Sequence, residues 1–177
     1  MLRVAHTADL EEDTLEQIRA LMDVVFPDDF EEYDWEHALG GMHALITEDG
    51  APVAHASLVM RRIIHQGKAL RAGYVEAVGV HPEHRRKGLG GAVMEPLERI
   101  VLNAYDLGAL GATDQAARMY AGRGWKLWQY LADESDSNAA YGSVSRAVPG
   151  VTHCDRNLFA GNSAELHRYW GVGRTRA

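Results

Sequence analysis

The stretch HRRKGLGGAV (residues 84–93) decides the fold, because three basic residues lead into three closely spaced glycines and then into an apolar segment. A strand is predicted to end before it at Val80, and a helix to run from near Gly88 to about Ala104. The start of a helix leaves polarised N–H groups without partners, and glycine lets an anion approach the backbone closely. The stretch therefore predicts either an anion-binding loop, with phosphate oxygens as its partners, or a solvated basic turn.

Two common phosphate-binding loops do not match this stretch. A Walker loop requires GxxxxGK[ST], which the sequence lacks. A Rossmann GxGxxG follows the first strand of a parallel βαβ unit, whereas the strands before residue 84 are predicted to be antiparallel and the glycine spacing differs. We therefore predict a pyrophosphate-binding loop of another kind.

Three antiparallel strands are predicted immediately before the stretch, with turns at Asp49-Gly50 and at Gly67. Further upstream, apolar periodicity predicts a strand and an amphipathic helix that Pro27 stops, with Thr14 and Gln17 as a capping box. A short helix is predicted to begin within the acidic residues 28–36 and to end before Gly40-Gly41. The predicted strands are 2–7, 42–48, 52–66 and 69–81, and the predicted helices are 14–26 and 34–39.

Shorter elements are predicted after the stretch. Pro96 lies inside the long helix and is expected to kink it, because proline removes a backbone donor. A strand at 107–113, a helix at 114–122 and a strand at 125–132 follow, and weaker strand signals lie within 133–177. The pattern predicts a single α+β domain over residues 1–177.

Composition narrows the classes of function. A net charge of -7 argues against general nucleic-acid binding and suits a cationic substrate. No apolar run reaches the roughly 20 residues that span a bilayer, and the acidic N-terminal segment does not resemble a signal peptide, so no membrane partner is expected. Cys154 is the single cysteine, which suits a reducing cytoplasm, and the nine histidines show no recognised metal-ligand spacing.

Two motifs resemble those of the GNAT acetyltransferase superfamily. Residues 85–90, RRKGLG, are similar to its [QR]xxGx[GA] signature, and residues 120–125, YAGRGW, are similar to its YxxxG[FW] segment. The resemblance implies the GNAT fold, a mixed and mostly antiparallel central sheet flanked by helices, with acetyl-CoA as co-substrate and no metal. The residues that it implies for acetyl-CoA binding are Val78, Gly79, Val80, Arg85, Arg86, Lys87, Gly88, Gly90 and Gly91.

A closer resemblance covers roughly residues 4–128. The blocks DWEHALGGMHALI (34–46), GYVEAV (73–78) and MYAGRGW (119–125) resemble the aminoglycoside 2′-N-acetyltransferases. This implies acetyl transfer from acetyl-CoA to the 2′-amino group of an aminoglycoside, which inactivates the antibiotic, by a cytoplasmic homodimer. Two alternatives stay open. The first is a GNAT enzyme that acetylates a polyamine, an amino sugar or a protein amine. The second is a protein that binds acyl-CoA or the drug without turnover.

Glu76 is the candidate general base. It interrupts an apolar strand just before the basic loop, and partial burial would raise its proton affinity. Attack on the thioester needs a neutral amine, so a carboxylate or a water chain must take a proton from the acceptor. The resemblance implies that Glu76 acts through water and also contacts the substrate. The alternative is a structural ion pair with Arg61 or Arg62.

Tyr120 is the candidate general acid for the departing thiolate, since its hydroxyl can donate to sulfur. A tyrosine on an amphipathic helix is more often a packing residue, and the resemblance of its YxxxGW context favours the catalytic role. Trp35 and Trp125 are interpreted as core residues or pocket walls.

Six of the nine residues from 28 to 36 are carboxylates. Such a run is either a solvated face or a surface that attracts a polycation. The resemblance implies that Asp29 and Asp34 contact the substrate. It weakens after about Trp128, where the related enzymes end in an acidic tail and this chain ends in HRYWGVGRTRA, whose three arginines would repel a polycation.

Overall fold

A computed structural model describes residues 1–27, 29–65, 68–112, 114–128, 142–144 and 168–173. Its strands are β1 (Leu2–His6), β2 (Met42–Glu48), β3 (Ala51–His65), β4 (Lys68–Val80), β5 (Leu107–Ala112), β6 (Lys126–Trp128), β7 (Gly142–Val144) and β8 (Arg168–Gly173). Its α-helices are α1 (Glu12–Val25), α2 (Glu32–Ala38), α3 (Leu89–Ala104) and α4 (Asp114–Gly122), and short 3-10 helices cover Thr7–Asp9 and Pro82–His84. The predicted α+β class is confirmed.

Local turn signals placed most of the strands correctly. The four strands predicted before residue 84 are each observed within one residue of their predicted bounds. Asp49 and Gly50 have φ angles of 51° and 85°, the left-handed pair that a two-residue hairpin turn requires. The turn predicted at Gly67 and the strand end predicted at 129–132 lie outside the described residues.

The start of α1 differs from the prediction. The helix begins at Glu12 with Glu11 as its N-cap, so Thr14 lies inside the first turn, and its hydroxyl donates to Glu11 Oε2 (3.3 Å) instead of capping the helix. Glu12 and Asp13 explain the earlier start, because carboxylates in a first turn interact favourably with the positive end of the helix dipole. The short helix is likewise longer at its start than predicted, beginning at Glu32.

The chain divides into two compact units, Met1–Val59 with Val75–Arg99 and Met60–Tyr74 with Ile100–Ala177. In the first unit the strand order is β1-β2-β3-β4, with β1–β2 and β2–β3 antiparallel. Trp35 packs against the buried cluster of Leu10, Ile18 and Leu45, which confirms its interpretation as a core residue. Other side chains buried in this unit are Met22, Leu58, Val93, Met94 and Leu97.

In the second unit the strand order is β4-β5-β8-β6-β7, and β8 is antiparallel to both β5 and β6. The weak strand signals were predicted without bounds after a loop at 133–143, and the described strands in this region are β7, which begins at Gly142, and β8. Asp106, the residue before β5, accepts from the backbone N–H of Arg71 (2.9 Å) and lies beside its guanidinium. The buried Leu107, Leu110 and Trp125 belong to the core of this unit.

Candidate active site

The strand that carries Glu76 is distorted at the next residue. Ala77 has a φ of 47°, which costs an L-residue energy and is unusual inside a strand. Ser57 Oγ donates to the carbonyl of Glu76 (3.3 Å), and His55 Nδ1 lies 2.9 Å from the carbonyl of Ala77. The side chains of Ser57 and His55 on β3 therefore contact two successive carbonyls of β4. In a regular strand ladder, successive carbonyls point to opposite sides. Glu76 is half-buried next to this distortion of β4 at Ala77, the β4 bulge.

Two buried histidines continue from the bulge into the core of the first unit. His43 Nδ1 lies 2.9 Å from His55 Nε2, and His43 Nε2 lies 2.7 Å from Thr7 Oγ1. Burial lowers the pKa of His43 to about 4, with a smaller effect from His6. Burial also lowers the pKa of His55 to about 3, with His43 acting in the same direction and the bond to Ala77 opposing. Sequence reasoning missed this pair, because each histidine stands in an apolar strand and only the strand register brings them together.

The segment after β4 turns sharply into α3. The His81 N–H donates to the carbonyl of Val53 (2.9 Å), and Arg85 Nε donates to the carbonyl of Val80 (3.3 Å). Arg86 and Gly88 have φ angles of 63° and 78°. Apart from its chain neighbours, no atom of the described residues lies within 4 Å of the position that a Cβ at Gly88 would take, so the backbone conformation at positive φ is what favours glycine here.

The start of α3 has the geometry of an anion site. The first bond of the helix runs from the N–H of Ala92 to the carbonyl of Gly88 (3.1 Å), so the N–H groups of Leu89, Gly90 and Gly91 come before it. The side chains of Arg85, Arg86 and Lys87 are exposed beside them. Polarised N–H groups, a glycine at positive φ and three cations suit the pyrophosphate of a CoA thioester.

His84 attaches this loop to the β2–β3 hairpin. His84 Nε2 lies 2.7 Å from Glu48 Oε2, at the end of β2. His84 Nδ1 is buried and has no hydrogen-bond partner among the described residues. Sequence reasoning missed this contact, since no local pattern relates residues 48 and 84.

The predicted cofactor-binding strand residues Val78, Gly79 and Val80 end β4. A Cβ at Gly79 would lie 2.6 Å from Met22 Cε and 3.2 Å from Val25 Cγ2, both on α1. Helix α1 therefore packs directly on the backbone at this point, and glycine permits that approach. The packing supports the strand from one side, next to the bulge at Ala77.

Arg19 on α1 contacts the part of the acidic run from Phe30 to Glu32. Arg19 Nη1 donates to the carbonyl of Glu31 (2.9 Å), and its guanidinium carbon lies 4.9 Å from the centre of the Phe30 ring. The same guanidinium contacts Asp23 (3.4 Å) and Glu32 (4.0 Å). Part of the negative charge of this region is thereby offset, which the residue count alone did not indicate.

The two acidic residues predicted to bind substrate differ in their surroundings. Asp29 is exposed, and its N–H donates to the carbonyl of Phe26 (3.2 Å). Asp34 is half-buried at the start of α2, where its Oδ2 accepts from the N–H of Glu31 (3.0 Å). One carboxylate oxygen of Asp34 is therefore used in a hydrogen bond at the N-terminus of α2.

Tyr120 and Trp125 lie in the second unit, at the end of α4. Tyr120 is 2 % exposed, and its ring meets that of Trp125 with centroids 6.2 Å apart and planes at 63°. The N–H of Trp125 donates to the carbonyl of Tyr120 (3.0 Å), and Gly124 ends the helix at a φ of 87°. The YAGRGW segment is thus a helix-ending turn that encloses both rings.

The described ranges contain neither a helix suited to a membrane nor a group of metal ligands. No helix there has both the length and the apolar character needed to cross a membrane. No three histidine, cysteine, aspartate or glutamate side chains among those residues converge as a metal site would require.

Similarity to known proteins covers most of the chain. Residues 6–128 match the family model described as an acetyltransferase (GNAT) domain. A curated aminoglycoside 2′-N-acetyltransferase from Mycolicibacterium fortuitum is 50% identical over 127 residues, which is 72% of this chain. The match covers 65% of the length of that relative.

Solved structures resemble the fold across nearly the whole chain. An acyl-CoA N-acyltransferase from Pseudomonas aeruginosa superposes with a TM-score of 0.64 at 17% identity, covering 98% of this chain and 99% of that one. ElaA from Escherichia coli gives a TM-score of 0.61 at 17% identity, covering 97% and 98%. At this level of identity the likeness concerns the fold, and it confirms the fold predicted from the motifs.

Proposed function

Because the chain belongs to the GNAT acetyltransferase family, we propose that it transfers the acetyl group of acetyl-CoA to the 2′-amino group of aminoglycosides. The observation that carries the proposal is the arrangement of β4 and α3, in which a half-buried Glu76 at a strand bulge precedes a helix start built for an anion. The 50% identity to an aminoglycoside 2′-N-acetyltransferase supports this acceptor.

On the donor side, the N–H groups at the start of α3 bind the pyrophosphate of acetyl-CoA, with Arg85, Arg86 and Lys87 around it. Gly88, Gly90 and Gly91 keep that approach free of side chains. The backbone of Val78, Gly79 and Val80 pairs with the pantetheine arm, which places the thioester beside the bulge. No metal takes part.

On the acceptor side, the amine must lose a proton before it attacks, because an alkyl ammonium has no lone pair. Glu76 takes this proton through a water molecule. The nitrogen–carbon bond to the acetyl group forms, the carbon–sulfur bond breaks, and Tyr120 gives its hydroxyl proton to the thiolate. The second proton, which the nitrogen loses as it becomes an amide, passes through water and restores the Tyr120 hydroxyl.

Substrate recognition rests on charge. An aminoglycoside carries several ammonium groups, and the carboxylates of Asp29, Asp34 and Glu76 attract them. The net charge of -7 favours the approach of a polycation. We further propose that residues 1–177 form one GNAT domain that acts as a cytoplasmic homodimer, a state that light scattering of the full chain tests directly.

The test is release of the CoA thiol with a panel of amines. Aminoglycosides with a 2′-amino group should be acetylated, and those with a 2′-hydroxyl should not. Equal rates on both kinds of drug would refute the regiochemistry. Turnover of polyamines or amino sugars alone would favour the alternative acceptor, and acetyl-CoA binding without any turnover would favour a non-catalytic protein.

Two variants separate catalysis from binding. Glu76→Gln should lower kcat by about a hundredfold near neutral pH, in the range typical of a lost general base, with little change in acetyl-CoA affinity. Glu95→Gln is the matched control, because Glu95 is an exposed carboxylate on α3. If both variants keep the wild-type kcat, Glu76 is not the base.

A further inference from the structure

A series of hydrogen bonds links Thr7, His43, His55 and Ala77, and each bond in it has a fixed donor and a fixed acceptor. A carbonyl can only accept, so the bond to Ala77 requires a proton on His55 Nδ1. Both imidazoles are neutral near pH 7, because burial lowers the pKa of each far below that value. A neutral ring has one N–H, so His55 Nε2 must accept from His43 Nδ1, and His43 Nε2 must accept from the Thr7 hydroxyl.

Thr7 anchors the other end of this series. Its Oγ1 accepts from the N–H groups of Gly40 (2.9 Å) and Gly41 (3.2 Å). Its single proton faces two acceptors, His43 Nε2 at 2.7 Å and the carbonyl of Gly41 at 3.2 Å, and the shorter contact to the imidazole is the stronger. The series therefore connects the backbone before β2 to the bulge of β4.

The series does not conduct protons to or from the substrate. It ends on an amide carbonyl, which neither binds nor releases a proton at neutral pH. Charging either ring would place a cation in an apolar site, where His55 lies opposite Leu45 in the register and Leu45 packs against Ile18. Among the residues that the structure describes, His6 also acts on this pair, and it disfavours a cation at His43. The two rings therefore stay neutral and connect Thr7 to Ala77 in a fixed geometry.

We propose that His43 and His55 are positioning residues, which hold the Ala77 carbonyl and thereby fix the bulge that orients Glu76 and the strand after it. A non-glycine residue at positive φ costs roughly 1–3 kcal/mol and persists only where its surroundings impose it. At Ala77 the imposing contact is the hydrogen bond from His55, assisted by Ser57 at the preceding carbonyl. The catalytic consequence rests on the proposed function.

Two substitutions at residue 55 test the proposal, because each keeps one of the two hydrogen bonds of the His55 ring and removes the other. In His55→Asn the amide nitrogen replaces Nδ1 and can still donate to the Ala77 carbonyl. In His55→Gln the amide replaces Nε2, keeps the contact with His43 and loses the bond to Ala77. Each variant loses one buried hydrogen bond, so their losses of stability should be similar.

We expect kcat for acetyl transfer to fall about tenfold or more in His55→Gln, since small displacements of a reacting group are costly. His55→Asn should restore kcat to within about threefold of the wild type, and any rise in KM for acetyl-CoA should be confined to His55→Gln. Ile18→Ala controls for lost stability, because it removes about 2–5 kcal/mol from the neighbouring apolar cluster and should leave kcat unaltered. Equal kcat in the two residue-55 variants would overturn the proposal.

A second readout does not depend on the acceptor. The backbone amide NMR signals of Ala77 and Val78 should move in His55→Gln and stay near their wild-type positions in His55→Asn. Nitrogen NMR of the wild type should show both rings neutral and protonated at Nδ1. If the wild type acetylates no aminoglycoside, the proposed function fails while these signals still decide whether His55 holds the bulge. Unmoved amides in His55→Gln would refute the positioning role even in an active enzyme.

Discussion

Acidification should destabilise this protein steeply between pH 6.5 and pH 4, because two buried histidines must stay neutral in the fold. The pKa of His43 falls from 6.5 to about 4 on folding, and that of His55 falls from 6.5 to about 3. The unfolded chain therefore binds protons at a higher pH than the folded chain does. The stability that the two neutral rings support is complete above pH 6.5 and is lost as the pH falls towards the folded-state values.

The expected size follows from the linkage between proton binding and folding. Each pKa unit corresponds to 1.36 kcal/mol, so each histidine should remove about 2 kcal/mol of unfolding free energy between pH 7 and pH 5. The pair should remove about 4 kcal/mol, a large part of the roughly 5–15 kcal/mol that stabilises a typical domain. Urea unfolding followed by tryptophan fluorescence at pH 7, 6 and 5 measures the loss.

Variants of each ring isolate the histidine contribution from that of other groups. His43→Asn keeps a donor to His55, and His55→Asn keeps a donor to Ala77, yet neither asparagine titrates in this range. Each variant should be less stable than the wild type at pH 7, and each should lose about 2 kcal/mol less between pH 7 and pH 5. A wild-type loss below about 1 kcal/mol, or variants with the wild-type pH dependence, would refute the reasoning.

Two further predictions concern the donor and acceptor sides. Gly88→Ala should fold with a strain of about 1–2 kcal/mol from its φ of 78° and should bind acetyl-CoA more weakly in calorimetric titration, because its Cβ enters the space beside the helix start. Gly122→Ala is the control, since Gly122 ends α4 without positive φ and with no described atom close to its Cβ position. Equal affinities in the two variants would contradict the assignment of the start of α3 as the pyrophosphate site. Arg19→Met should raise KM for the proposed aminoglycoside substrate in steady-state assays, because it removes the contact that Arg19 makes with the segment before Asp34. It should change the free energy of unfolding by only about 1 kcal/mol, because the ion pairs that it breaks are partly exposed. An unchanged KM would show that Arg19 does not order the acceptor site.

Local signals in the sequence predicted the parts of the fold that local chemistry controls. The Asp49-Gly50 turn demands left-handed conformations, and the basic glycine-rich loop marks the start of α3. The prediction for the start of α1 was wrong, because the capping signal of Thr14 competed with acidic residues that favour an earlier first turn.

The features that sequence reasoning missed depend on contacts between distant parts of the chain. The bulge at Ala77 carries no local signal, since alanine has no preference for positive φ. The contact between His43 and His55 requires the register of β2 on β3. The candidate base at residue 76 was identified by its apolar neighbours and the family resemblance, and its assignment as the base stays a prediction.

The one-way series of imidazoles has a consequence for how the family can diverge. A neutral histidine is the side chain that offers a donor on one edge of its ring and an acceptor on the other. Replacing either His43 or His55 alone leaves a buried polar atom without its partner, at a cost of about 1–3 kcal/mol. Among homologous sequences the two positions should therefore be inherited as a pair, so that lineages keep both histidines or have exchanged both for side chains that pack without polar atoms.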